Sequence, residues 1–191
     1  MDLWLGLGVG IGLSAACGFR VFVPLLALSL ASWTNYLTLS PEFAWIGTLP
    51  ALIAFSIATC LEVGAYYIPI VDHFLDTVMT PASFVAGTIV AASNIVDVGP
   101  FLKWTLALVA GGGVAGLVQG STVSLRFLST ATTGGIGNIL MGTLELIGAV
   151  LLAILAIFLP ILALFLVLGV FVVLIWRFLA HKYKKKLPVA T

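Results

Sequence analysis

Four charged residues stand inside otherwise apolar stretches of this chain, and they are the side chains best placed to do chemistry. They are Arg20, Glu62, Arg126 and Glu145. A charge inside hydrocarbon is costly to place and is usually held for a partner or for an ion pathway. The two arginines and two glutamates could therefore form two ion pairs that fix helix register. They could equally line an anion route in which a carboxylate carries a coupling proton or cation.

A second polar set lies in the segment VDHFLDTVMTP, residues 71–81. Asp72 and Asp76 are four residues apart and share one helix face. His73 points about 100° away from that face, so a single helix cannot present all three side chains to one ion. We therefore expect no metal and no cofactor here. Asn138 closes a link rich in hydroxyls and glycine, STATTGGIGN, which could fold inward or serve as a flexible connector.

Small residues recur at every fourth position in two stretches that match at one fixed offset. This spacing places them on one stripe of a helix, where their lack of bulk lets another backbone come close. In each stripe an arginine stands two residues after the last small residue. Packing alone does not require a charge at this matching position, so the chain looks duplicated. The predicted packing residues are Gly6, Gly10, Ser14 and Gly18 in the first stripe, and Gly112, Gly116, Gly120 and Ser124 in the second.

Composition defines the class of protein. Of 191 residues 62% are hydrophobic and 8% are charged, with a mean hydropathy of +1.26. Such a chain cannot cover a soluble domain with polar surface, so it is an integral membrane protein. The net charge of +1 argues against a nucleic-acid partner. We predict an all-α, polytopic domain over residues 1–180, with repeat-like halves 1–98 and 99–180 and a basic tail at 181–191.

The length accommodates about six membrane-spanning helices, some of them broken. The first apolar run, from Leu3 to about Ser32, spans about 45 Å as a helix and is too long for one straight crossing. Gly18 and Pro24 bracket Arg20, so we expect an interruption there. The later runs are Ala44 to Ile68, Ala82 to Ile95, Phe101 to Leu125, and Ile139 to Leu179, the last divided into two helices at Pro160.

The basic tail predicts the orientation, because lysine and arginine near a membrane end are retained in the cytoplasm. The expected location is the cell (inner) membrane with a cytoplasmic C-terminus, and six crossings would make the N-terminus cytoplasmic as well. Asp76 and the STATTGGIGN link would then lie inside, and the loops at Glu42 and Asp97 outside. The first and fourth predicted helices, in the runs from Leu3 and from Phe101, would then be antiparallel. An inverted repeat produces this relation, and inverted repeats are a recurrent transporter design.

Two segments carry a family resemblance: IPIVDHFLDTVMTP followed by Ala86 and Gly87, and STATTGGIGN followed by Glu145. They resemble a family of small bacterial membrane proteins labelled DUF4126, whose label assigns no function. The chain differs from that pattern at Arg20, where a neutral residue is expected, and at Ile139, where proline is expected. The resemblance implies emphasis on Glu62, Pro69, Asp72, Asp76, Thr133, Gly134, Gly135, Asn138 and Glu145.

The preferred hypothesis is a transporter or channel for a small solute or ion, working through the charged residues and Asn138. The alternative is a membrane scaffold, a possible homodimer, whose buried charges are structural pairs. A third hypothesis is a lipid-modifying enzyme with Asp72, His73 and Asp76 at the membrane boundary. Apart from membrane lipid and the solute, no partner is implied. A transporter needs a polar cavity reached by Arg20, Glu62 and Arg126, whereas a scaffold would enclose these charges in pairs.

Overall fold

The computed structural model describes residues 3–184, without the side chains of residues 69–70, 72–73, 174–175 and 178–184. The tail residues 185–191 lie outside the described residues. Every regular element in the described range is helical, as the composition predicts. The elements are α1 (Leu3–Cys17), α2 (Phe22–Trp33), a 3₁₀ segment (Pro41–Gly47), α3 (Leu49–Ala65), α4 (Pro69–Asn94), α5 (Pro100–Leu106), a π segment (Ala107–Gly112), α6 (Gly113–Thr133), α7 (Gly137–Phe158) and α8 (Pro160–Lys184).

The first apolar run folds as a hairpin of α1 and α2. Gly8, in α1, lies against Pro160, and the ring of Tyr36, just after α2, lies 5.1 Å from the ring of Phe158. Both contacts are at the turn between α7 and α8. Arg20, between the two helices, bonds instead to a carbonyl in the second turn of α7. The chain therefore enters through α1, turns at residues 18–21 and returns through α2 to the end from which it came.

Pro24 lies at the third position of α2 and does not interrupt a helix. Proline is tolerated in a first helical turn, because an N–H group there has no intrahelical acceptor. The predicted break near Arg20 is confirmed, but it is a reversal of direction. Pro160 likewise begins α8 directly after α7 ends at Phe158, as the sequence predicts.

Close contacts show that α1 and α4 are antiparallel. A Cβ atom on Gly10 would lie 3.1 Å from Cα of Ala91. One helical turn further along α1, Ser14 Oγ donates a 2.8 Å hydrogen bond to the carbonyl of Gly87. The contact thus moves backward along α4 as α1 advances.

The helix that carries the second glycine stripe is also antiparallel to α4. A Cβ atom on Gly111 would lie 2.5 Å from Cβ of Ala91, and one on Gly87 would lie 2.5 Å from Cβ of Ala115. Since α1 and α6 both run against α4, they run in the same direction. The inverted repeat is therefore not confirmed, because it required the first and fourth predicted helices to run in opposite directions, and the fourth lies within the helical segment Pro100–Thr133.

Among the described residues, three helical segments are long and apolar enough to cross a membrane: Phe74–Asn94, Pro100–Thr133 and Gly137–Phe158. The bent pair Pro41–Gly47 and Leu49–Ala65, with 63° between its helices, would make a fourth. Six crossings are not confirmed. The other apolar helices in the described range are shorter: Leu3–Cys17, Phe22–Trp33 and Pro160–Val173.

The bundle has two ends, which we call upper and lower. The upper end holds the links at residues 34–48 and 95–99 and the turn at Leu159, and the lower end holds the links at 66–68 and 134–136. The loops of Glu42 and Asp97 thus share one end, and Asp76 and the STATTGGIGN link lie toward the other. Which side of the membrane each end faces stays a prediction.

The described start of the chain lies at the upper end, whereas α8 finishes at the lower end. Gly8 meets Pro160 at the start of α8, and Ala15 lies near Val167 further along it. The helices therefore run side by side in the same direction. A shared membrane side for the two termini is therefore not confirmed, because the α1 and α2 hairpin returns to the end of the bundle where it began.

Candidate functional site

Five charged side chains from five different elements meet in the lower half of the bundle. Arg20 comes from the hairpin turn, Glu62 from α3, Asp76 from α4, Arg126 from α6 and Glu145 from α7. All but Asp76, which is half-buried, are at most 5% exposed. We call these five residues the charge cluster. It contains every charged site residue proposed from the sequence except Asp72, whose side chain is not among those described.

Arg126 and Glu145 form the closest ion pair of the cluster. Arg126 Nε donates to Glu145 Oε1 over 2.9 Å, and Nη2 donates to Oε2 of the same carboxylate. The remaining terminal nitrogen, Nη1, donates to Asp76 Oδ1 over 3.2 Å. The planar fork of arginine suits such two-point binding, whereas lysine offers a single point charge. One guanidinium thus joins α4, α6 and α7.

Tyr66 lies between the two arginines. The guanidinium carbon of Arg20 is 3.7 Å from the centre of the ring, and that of Arg126 is 4.2 Å from it. Two guanidinium groups at these distances cannot share one face, so each covers its own. The negative faces of an aromatic ring attract cations. Tyr66 therefore holds apart two like charges that would otherwise repel each other.

Arg20 is only partly satisfied by its surroundings. Its Nη2 donates to the carbonyl of Gly142 over 2.8 Å and lies 3.8 Å from Glu145 Oε2. The approach depends on glycine, because a Cβ at residue 142 would lie 3.1 Å from Nη2. Nε and Nη1 of Arg20 are buried and have no hydrogen-bond partner among the described residues.

Glu62 caps the start of α2, a role that sequence reasoning missed. Its Oε1 accepts from the N–H of Val21 over 2.8 Å, and its Oε2 accepts from the N–H of Phe22 over 3.0 Å. The first N–H groups of a helix need acceptors from outside it. α2 has no side-chain cap of its own, since Val21 stands where serine, threonine, aspartate or asparagine would serve. That missing cap was the only signal in the sequence.

A partly open cavity of about 460 Å³ lies between α4 and α6 at the lower end. It reaches Asp76 and Arg126 of the charge cluster but is not lined by Arg20, Glu62 or Glu145. Of the three residues that a transport cavity was predicted to reach, only Arg126 therefore lines it. Hydroxyl, amide, carboxylate and guanidinium groups contribute polar atoms to a surface that is mostly apolar. Its lining residues are Asp76, Thr77, Thr80, Pro81, Val123, Arg126, Phe127, Thr130 and Asn138.

Asn138 is oriented by the helix that precedes it. Its side-chain amide donates to Thr130 Oγ1 over 2.9 Å, and the residue is 6% exposed. Gly134, which ends α6, and Gly135 have φ values of 64° and 95°, a left-handed conformation that glycine adopts without strain. These two glycines let the chain turn sharply, so that α6 and α7 can meet across the cavity.

No group of three or more histidine, cysteine, aspartate and glutamate side chains able to hold a metal ion occurs among the described residues. The side chains of Asp72 and His73, on which the enzyme hypothesis depends, are not among those described. The two cysteines are separate, with Cys17 buried and Cys60 exposed.

The first glycine stripe lies against neighbouring helices. Gly6 is buried, Gly10 and Ser14 meet α4, and a Cβ on Gly18 would lie 2.4 Å from Cβ of Val118. The stripe therefore seats α1 between α4 and α6.

The second stripe makes contacts only in its first half. A Cβ on Gly112 would lie 2.4 Å from Thr88 Oγ1, and one on Gly116 would lie near Phe84. Gly120 and Ser124 are exposed, Gly120 has open space where a Cβ would stand, and Ser124 bonds within its own helix. Their predicted packing contacts are absent from the described part of the chain.

Another close helix crossing uses residues that neither predicted stripe includes. Gly87 and Ala91 on α4 face Gly111 and Ala115, and a Cβ on Gly87 would lie 2.8 Å from the carbonyl oxygen of Gly111. Each pair is again four residues apart. The sequence therefore contained this spacing of small residues, shifted by one residue from the second stripe.

A smaller polar site lies at the upper end. Lys103 Nζ donates to Glu42 Oε2 over 2.9 Å and to Ser40 Oγ over 3.0 Å, and Lys103 is 7% exposed. The hydrogen bond from Lys103 lowers the pKa of Glu42 below its ordinary value, with smaller contributions from the Glu42 backbone and from Ser40. The pair ties the start of α5 to the 3₁₀ segment.

No curated protein and no solved structure matches the chain. A family model described as a domain of unknown function (DUF4126) matches residues 7–180 and so covers nearly all of the 191 residues. That range contains the hairpin, the whole charge cluster and the cavity. The chain therefore belongs to the DUF4126 family, as the segments around Asp76 and Glu145 indicate.

Proposed function

We propose that this protein is a transporter or channel for a small solute or ion in the cell membrane, with its C-terminal tail in the cytoplasm. The observation that carries the proposal is the cavity that Asp76 and Arg126 line. A cavity of about 460 Å³ has room for an ion or a small solute, and Arg126 in its lining carries a buried charge. Charges buried in membrane proteins commonly mark such pathways.

The arrangement supports a pathway that is open at one end. The cavity beside Asp76 and Arg126 lies toward the lower end, where Thr130 and Asn138 line it. In the upper half, the contacts of Gly10, Gly87 and Gly111 bring α1, α4 and α6 so close that no path of solute size separates them. We therefore interpret the structure as the state that faces the lower end, which is the cytoplasmic end if the tail lies inside.

The scaffold remains the second candidate because two of the buried charges are engaged within the protein. Glu145 is held by Arg126, and Glu62 is held by the backbone at the start of α2. A scaffold is expected to hold its buried charges in closed contacts of this kind. The open cavity beside Asp76 and the two unpartnered nitrogens of Arg20 favour the transporter.

Solute flux into proteoliposomes tests the proposal. Halides, phosphate, protons and alkali cations are screened with the wild type, with Asp76→Asn, and with Asp97→Asn, at an exposed loop residue, as a matched control. Both variants neutralise one carboxylate, but only Asp76 lines the cavity. A charge-assisted hydrogen bond is worth roughly 1.5–3 kcal/mol, so Asp76→Asn should change flux about tenfold or more. The control should behave like the wild type.

Two outcomes of the flux experiment would contradict the proposal. If folded wild-type protein moves none of these ions, the transport proposal fails and the scaffold is favoured. If both variants alter flux equally, the cavity is not the pathway.

A further inference from the structure

We propose that the cavity beside Asp76 binds a monovalent alkali cation, Na⁺ or K⁺, with the Asp76 carboxylate as its charged ligand. This inference rests on the proposed function and deepens it, because it names the class of ion that the cavity takes. The cation is the transported ion, and it is not a resident cofactor.

Asp76 presents the charge that an ion in the cavity meets first. Arg126 and Asp76 both line the cavity, but the side chain of Arg126 is 3% exposed and that of Asp76 is 15% exposed. All three guanidinium nitrogens of Arg126 donate to Glu145 and Asp76. An incoming anion would have to displace one of these carboxylates. A cation meets a carboxylate directly, and a carboxylate can bind it while accepting from Arg126, because its two oxygens offer about four acceptor positions.

The balance of charge in the cluster also favours a cation. Its carboxylates are those of Glu62, Asp76 and Glu145, and its guanidinium groups are those of Arg20 and Arg126. When all five groups are ionised, the described side chains of the cluster carry one excess negative charge. An uncompensated charge away from water is costly, so a cation in the cavity stabilises the cluster.

Uncharged oxygen atoms add ligands of the kind that alkali cations prefer. Thr80 and Thr130 line the cavity, and Thr80 Oγ1 donates to the carbonyl of Asp76 over 2.7 Å, so its lone pairs are left for other contacts. Pro81 stands inside α4 and has no N–H to donate to the carbonyl of Thr77, the usual acceptor for its position. That carbonyl has two lone pairs, so it can ligate a cation whatever other contact it makes. Carboxylate and carbonyl oxygens suit hard cations, as the carbonyls of potassium channels do.

The positive charge of Arg126 selects against a divalent cation. Its Nη1 lies 3.2 Å from Asp76 Oδ1, so an ion bound to Asp76 is repelled by the guanidinium in proportion to its own charge. Calcium sites usually gather several carboxylates to overcome such repulsion. Among the described residues, no group of three or more histidine, cysteine, aspartate and glutamate side chains could hold a metal ion. One carboxylate with neutral oxygens therefore fits a monovalent cation.

Thermal unfolding of the purified wild type in detergent tests the sign of the ion without requiring flux. We compare the chlorides of lithium, sodium, potassium and rubidium with the chloride of the large organic cation N-methyl-D-glucamine, at equal ionic strength. Sodium or potassium should raise the melting temperature by several degrees. The rise should increase with the logarithm of the cation concentration, as expected for a ligand that binds the folded state. Exchange of chloride for gluconate at constant sodium should leave the melting temperature unchanged.

Three variants separate this site from a general effect of salt. Asp76→Asn should lose the rise, because the charged ligand is absent. Asp97→Asn neutralises an exposed carboxylate at the opposite end of the bundle and should keep the full rise. Thr80→Val removes only a hydroxyl whose donated bond is to its own helix, so it should fold and should need a several-fold higher cation concentration for the same rise.

Equal melting temperatures of the wild type in all of these cations would overturn the proposal, as would a rise that Asp76→Asn retains in full. A rise that follows the anion at constant sodium would assign the cavity to an anion instead. If Asp76→Asn does not fold, Thr80→Val decides, and an unchanged cation dependence in that variant counts against the site.

The flux experiment and the unfolding experiment can fail separately. A cation-dependent rise in a protein without flux would retain the cation site and reject transport. Flux of an anion, without any cation dependence of the melting temperature, would retain transport and reject the cation site.

Discussion

At the scale of single residues, the two arginines of the charge cluster differ in how many of their nitrogens have a hydrogen-bond acceptor. Arg126 uses all three of its guanidinium nitrogens on Glu145 and Asp76, whereas Arg20 uses one on a backbone carbonyl. A buried ion pair stabilises a protein little relative to apolar replacements, but a lone buried charge is strongly unfavourable. The members of the cluster should therefore depend on each other much more than on the surrounding bundle.

A double-mutant cycle on Arg126→Gln and Glu145→Gln measures that dependence. Each single variant leaves one charge without its partner and should lower the free energy of unfolding by about 3–5 kcal/mol. The double variant should lose clearly less than the sum, because no unpaired charge remains in the pair. Unfolding in mixed detergent micelles gives these free energies. Losses that add within about 0.5 kcal/mol would show that the two groups do not interact in the folded protein.

The sequence predicts some of these contacts and not others, for physical reasons. The sequence predicts that an arginine could pair with Glu145, but it leaves Arg20 and Arg126 open as the partner. Arg126 is close in the chain, because one tight turn brings α6 back onto α7. The partner of Glu62 was not foreseen, since it is backbone. An N–H group at a helix start has no residue type of its own, and it is identified only when the helix boundary is known.

At the scale of elements, the α1 and α2 hairpin decides how the cluster is assembled. It brings Arg20 into the bundle from the upper end, while the cavity lies toward the lower end. The residues at 18–24 predict a break because Gly18 and Pro24 flank it, but an apolar pattern reads the same for a helix running up or down. The direction of α2 follows from contacts distant in sequence, such as Ser29 with Ile46, where the serine hydroxyl donates to the carbonyl over 2.6 Å.

Glycine contacts hold this arrangement together, and they can be tested at a matched pair of positions. In Gly87→Ala the new Cβ would lie 2.8 Å from the carbonyl oxygen of Gly111, which cannot move without shifting the backbone. Overpacking of this kind costs about 1–3 kcal/mol. In Gly120→Ala the Cβ meets open space, so the variant should be neutral or slightly stabilised by helix propensity. Thermal unfolding in detergent compares the two. Equal losses in both variants would mean that the crossing of α4 and α6 is not close-packed.

At the scale of the whole molecule, the hairpin separates two topologies that composition alone cannot distinguish. Six single crossings place the start of the chain on the same side as the end of α8, whereas the structure places them at opposite ends. Hydropathy reports how much chain is apolar but not how often it crosses. Helix length and the contacts at Gly8 carry that information here.

Labelling of introduced cysteines from the two sides of the membrane distinguishes these topologies. Cys60 is exposed and is first replaced by serine, while Cys17 is buried and stays. Trp4→Cys and Asp97→Cys lie at the upper end, and Ile136→Cys lies at the lower end. With the tail in the cytoplasm, an impermeant thiol reagent should label the first two variants in intact cells and Ile136→Cys only after permeabilisation. Labelling of residue 4 only together with residue 136 would restore the six-crossing topology. Because Thr130 and Asn138 line the cavity, the same experiment determines which side of the membrane is nearer to the cavity and to Arg126.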